Sequence, residues 1–106
     1  MAKFLIEASY TTDGARGLLK DGGTKRRQAA ETAIKSAGGT MDGFYFALGV
    51  NDAYVIVDAP DYATVAGASI AINASGAVRS KTIALLSPED IDQAVKKTVN
   101  YRGPGQ

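Results

Sequence analysis

A hairpin pattern at the centre of the chain, with one helix pattern on each side of it, leaves few folds open. Thr40 to Leu48 is an apolar run rich in aromatics, with Phe44, Tyr45 and Phe46 in succession. Gly49-Val50-Asn51-Asp52 is a tight connection, and Ala53 to Asp58 follows through Tyr54, Val55, Ile56 and Val57. Two such runs across a short link read as antiparallel strands. Strict alternation places Phe44, Phe46 and Leu48 on one face of the first, with Met41, Tyr45 and Ala47 opposite. In the second, Val55 and Val57 point one way and Tyr54 and Ile56 the other.

Upstream, Lys3 to Tyr10 alternates as a strand, with Phe4, Ile6, Ala8 and Tyr10 on one face and Lys3, Leu5, Glu7 and Ser9 on the other. Thr11-Thr12-Asp13-Gly14 is turn chemistry. A short helical stretch from Ala15 to Lys20 is broken at Asp21-Gly22-Gly23, and Thr24 caps a helix to about Ala37. Ala29, Ala30, Ala33, Ile34 and Ala37 make its single apolar stripe. Downstream of the hairpin, Pro60 stops the strand and Asp61 caps a helix from about Tyr62 to Ala74, built on Ala63, Ala66, Gly67, Ile70 and Ala71. Val78 to Leu86 is the fourth strand. Ser87-Pro88-Glu89-Asp90 opens a last helix, with Ser as cap and Pro in the first turn. Ile91, Ala94, Val95 and Thr98 mark the face it is expected to pack.

The order is β-α-β-β-α-β plus a C-terminal helix. That predicts an α+β, ferredoxin-like domain with a four-stranded antiparallel sheet and both helices on one side. One domain is expected over residues 1–100, with 101–106 as a loose tail. The alanine stripes call for close helix contacts. Both faces of the hairpin strands carry apolar residues, so the side away from the helices is expected to need a cover. A second copy, sheet against sheet in a dimeric α/β barrel, is the simplest one.

Composition then closes off much chemistry. The 106 residues include no Cys and no His, and 12 Lys+Arg balance 11 Asp+Glu to a net charge of +1. Disulfides, a zinc site of the usual nitrogen and sulfur ligands, and His-dependent nucleophiles are excluded. The expectation is a cytoplasmic protein without metal or cofactor. Near-neutral charge predicts no nucleic-acid partner, and no apolar run predicts a membrane span.

The stretch Phe46-Ala47-Leu48-Gly49-Val50-Asn51-Asp52-Ala53-Tyr54-Val55-Ile56-Val57-Asp58-Ala59-Pro60-Asp61 resembles the GYD-domain family. That family shows a Gly-x-Tyr-Asp turn, then an apolar strand ending in an acid, Ala and Pro. Gly49, Asp52, Asp58, Ala59 and Pro60 match. Ser9-Tyr10-Thr11-Thr12-Asp13-Gly14-Ala15-Arg16 is similar to its opening segment, and Gly76-Ala77-Val78-Arg79-Ser80-Lys81-Thr82 to its later Gly-x-Val-Arg strand entry. The likeness spans roughly residues 3 to 97. Asn51 stands where the signature has Tyr. The resemblance implies a dimeric α/β barrel and no particular activity. Relatives of that barrel include cofactor-free monooxygenases, isomerases and haem enzymes, the last disfavoured without His.

Five residues are candidates for holding a small molecule in a barrel cavity: Tyr45, Asn51, Asp52, Asp58 and Arg79. Asp52 and Asp58, six residues apart on a strand, stand about 20 Å apart and cannot form an acid/base dyad. Each is either a lone base or a structural acceptor, Asp52 in its own turn and Asp58 as the cap of the turn after the strand. Arg79 is either an anion clamp or the ion-pair partner of one of them. Tyr10, Tyr45 and Tyr54 offer phenols or core packing. Arg26 and Arg27, with Lys25, open a helix where cations are unfavourable. A bound anion would relieve that conflict; the plainer reading is a solvated face. Catalytic residues are not identified. The expected function is small-molecule binding by a homo-oligomer. A cofactor-free monooxygenase or isomerase, and a purely structural or regulatory module, are the alternatives.

Overall fold

A computed structural model describes residues 1–106. Strands β1 (Ala2–Tyr10), β2 (Thr40–Phe46), β3 (Ala53–Ala59) and β4 (Val78–Leu85) form one antiparallel sheet in the order β2-β3-β1-β4. Helices α1 (Thr12–Ser36) and α2 (Tyr62–Ala74) fill the crossovers, and α3 (Pro88–Ala94) comes after β4. This is the expected ferredoxin-like α+β architecture.

The core lies between helices and sheet. Phe4 and Ile6 of β1, Val55, Val57 and Ala59 of β3, Ile34 of α1 and Val65 of α2 form its main cluster. Ala8, Ala53 and Val78 make a smaller one at the other end. The alternation of β1 and β3 is therefore realised as read. In β2 it is not. A bulge between Met41 and Gly43 pairs Met41 with Val57 and Phe44 with Val55. The extra residue puts Met41 on the core side with Phe44, against the strict two-residue period that set them apart.

Helix α1 begins earlier than the Thr24 cap implies. The Thr11 side chain accepts from Gly14 N, and the helix continues to Ser36 across a kink at Gly22, φ 79° and ψ 177°. Only glycine holds that backbone region comfortably. The break expected at Asp21-Gly22-Gly23 is thus one residue wide. Its first half is tied to the entry of β4, where Thr11 N donates to Ala77 O at 3.1 Å and Thr11 Oγ1 to Gly76 O at 2.7 Å.

Helix α2 is capped by Asp61, whose carboxylate accepts from Thr64 N at 2.8 Å, as its place after Pro60 foretold. The inward face differs from the expected one. Val65 is buried and Ala68, Ser69 and Ile72 are half-buried, whereas Ala63 and Ala66 are exposed and Ile70 is 70% exposed; of the expected stripe, Gly67 and Ala71 do turn inward. The helix has no charged residue, so hydropathy could not tell one side from the other. Polar contacts with β4 make the choice. Ser69 and Thr82 hydroxyls stand 3.0 Å apart, and Ser80 N donates to Asn73 Oδ1 at 2.7 Å.

Helix α3 has the expected Ser87 cap, with Asp90 completing a reciprocal pair of bonds. Its expected packing is not made: none of its residues is buried, and no residue from 86 to 106 is either. Leu86, Val95, Val99 and Tyr101 stand in solvent. This arm lengthens the molecule to 57 × 32 × 23 Å with a radius of gyration of 17.0 Å. A compact chain of this size has about 13 Å. Residues 101–106 form no helix or strand.

Candidate functional site

The alanine stripes do not close on each other. Ala29, Ala30 and Ala33 of α1 face Gly67, Ala68 and Ala71 of α2 across a cavity of about 560 Å³. Its floor is the core side of the sheet, with Ile6, Ala8, Phe44, Ala53, Val55 and Val78. Side chains this short cannot span the gap. Sixteen of the 21 lining residues are hydrophobic, so the space suits an apolar occupant. Its volume falls within the ordinary range of ligand pockets. The polar groups at its wall are Tyr10, Arg26, Ser36, Ser75 and Ser80.

None of Tyr45, Asn51, Asp52, Asp58 and Arg79 lines this cavity. Strand register places most of them on the uncovered side of the sheet. There Tyr45, Tyr54, Glu7 and Lys81 form one cross-strand row, and Gly43, Ile56, Leu5 and Ile83 the next. Asp58, Lys3 and Leu85 form a third, and Arg79 sits opposite Ser9. The result is an apolar band through Leu5, Ile56 and Ile83 with a polar cluster at each end.

One cluster is centred on Asn51. Its side-chain amide donates to Glu7 Oε2 at 2.8 Å and to the Tyr54 hydroxyl at 3.3 Å, and Ser9 Oγ lies 3.4 Å from its Oδ1. Asp52 next to it is a structural acceptor: its carboxylate takes Tyr10 N at 2.8 Å, while its own N–H donates to Ala8 O at 2.9 Å. Asp52 thereby locks the hairpin turn to β1. The other cluster is centred on Lys3, which is ion-paired with Asp42 and with Asp58 at 3.2 Å. The hydrogen bond to Asp42, and then that to Asp58, raises the Lys3 ammonium above its usual range; the Lys3 bond in turn holds the Asp42 carboxyl low. Asp58 is thus an ion-pair partner and not a cap. Arg79 pairs with neither Asp52 nor Asp58; both ion pairs of the chain belong to Lys3. Asp42, the bulge residue, had no signal in the period of β2.

Helices on one face of a split β-α-β sheet, with an apolar cavity between helices and sheet, define a ferredoxin-like α+β domain. The family model of the GYD domain matches residues 4–95, and the chain belongs to that family. No curated protein and no solved structure matches it. No helix is long and apolar enough to cross a membrane.

Proposed function

We propose that the protein is a homodimeric binding module that holds a small apolar molecule under the helices of each subunit. The observation that carries the reading is the cavity of about 560 Å³ walled by alanine, glycine and branched apolar side chains. This compartment lies on the opposite side of the sheet from the barrel interior first expected to hold a ligand. Binding is favoured over turnover because no Asp or Glu lines the cavity, which leaves no carboxylate there to remove a proton.

The dimer is supported by surface. The chain exposes 7541 Å². A compact monomer of 11.0 kDa exposes about 5,600 Å², and part of the excess is the apolar band through Leu5, Ile56 and Ile83 on the uncovered face of the sheet.

The neutral fluorophore N-phenyl-1-naphthylamine tests the cavity. The wild-type protein is expected to bind it with a rise in fluorescence, and Ala30→Phe, which fills the space from α1, is expected to abolish the rise. Equal binding by that variant, folded by circular dichroism, would place the probe elsewhere and remove the reading.

A further inference from the structure

The cavity is apolar except at one point that is electrically unfinished. Arg26, on the second half of α1, lines it, and the buried Nε–H of its guanidinium has no hydrogen-bond partner. Buried N–H groups are normally satisfied, and Arg26, half-buried as a whole, has no carboxylate paired with it. The Tyr10 ring is the group that Arg26 does meet, 6.0 Å from the guanidinium carbon to the ring centroid. A ring face attracts the cation but does not accept that N–H as an oxygen would. Asp13 and Asp21 stand in an adjoining pocket of about 180 Å³, which Arg26 also borders, yet neither forms an ion pair with it.

We propose that the ligand is an organic anion, an apolar body carrying one carboxylate, and that Arg26 is the residue that receives the carboxylate. This rests on the binding reading above and names the chemical class of its ligand. The body replaces water against Ala30, Ala33, Ala68 and Val55. The carboxylate accepts from the two terminal Nη groups of Arg26, whose planar donors match its two oxygens. Tyr10 then backs the guanidinium from its ring face and fixes its direction. A neutral occupant offers the guanidinium no acceptor, so an acid is preferred over its neutral analogue.

Two probes differing in one group separate the possibilities. They are N-phenyl-1-naphthylamine and 8-anilino-1-naphthalenesulfonate, the same ring system without and with an anion, the sulfonate standing in for the carboxylate. Wild-type protein is expected to prefer the sulfonate. Arg26→Gln is expected to weaken the sulfonate about 10- to 100-fold more than it weakens the neutral probe, the range of a charge-assisted bond. Arg26→Lys keeps charge without the fork and is expected to fall between; it serves alone if the Gln variant does not fold. If either variant binds the sulfonate as wild type does while the neutral probe still binds, the anion assignment is wrong and the cavity reading stands. If folded wild-type protein takes up neither probe, both fall together.

Discussion

Gly14 shows how much a single residue without a side chain fixes. A Cβ there would come within 2.0 Å of Ala77 O, the carbonyl that also receives Thr11 N. The missing atom is what lets the start of α1 lie on the entry to β4. Gly14→Ala is expected to destabilise the fold by about 1–3 kcal/mol, read from urea unfolding, because either the helix or β4 must retreat. Gly17→Ala is the control, since a Cβ there meets nothing within 4 Å. At this scale the sequence was informative where backbone chemistry decides the role. Asp52, beside a glycine-led turn, was readable as an acceptor of backbone N–H. Arg26 was read mainly as a solvated cation at a helix start. What puts its guanidinium beside the Tyr10 ring is the packing of α1 on the sheet, and no local spacing encodes that.

Elements were legible to the degree that their pattern was one-sided. Strands β1 and β3 alternate, and both faces came out as read. Helix α2 is apolar all round, so its inward side was settled by hydroxyl and amide contacts with β4 that periodicity does not record. Strand β2 hides an inserted residue, and only pairing with β3 reveals it. The α2 cap carries a pH dependence with a definite sign. The Thr64 backbone N–H, as its hydrogen bond to Asp61, holds that carboxyl below the usual range. A lowered folded value means that the cap contributes above the ordinary carboxylate value and is lost as pH falls through the lowered one. The Thr64 amide resonance, followed by NMR, is expected to titrate with a midpoint below that of an ordinary aspartate. Asp61→Asn is expected to remove that titration.

The whole molecule has more surface than a chain of its size should keep in water. An apolar band crosses the open sheet face, and an arm with exposed Leu86, Val95, Val99 and Tyr101 leaves the body. Our proposal of a second copy predicts a sedimenting species of twice 11.0 kDa at micromolar concentration. Ile83→Glu, on edge strand β4 and 43% exposed, is expected to return it to the chain mass without unfolding it. A wild-type species of 11.0 kDa would refute the dimer. The apolar residues on both faces of the strands were legible in the sequence, but the arm was misjudged, because its apolar spacing said that it should pack and not on what. The joint at Gly22 has one more consequence. The two halves of α1 have different anchorages, one clasping the β4 entry and the other roofing the cavity. Gly22 itself has open space where a side chain would be. Insertions and deletions in this long crossover can therefore accumulate at its middle, leaving both anchorages in register, so natural length variants should concentrate there.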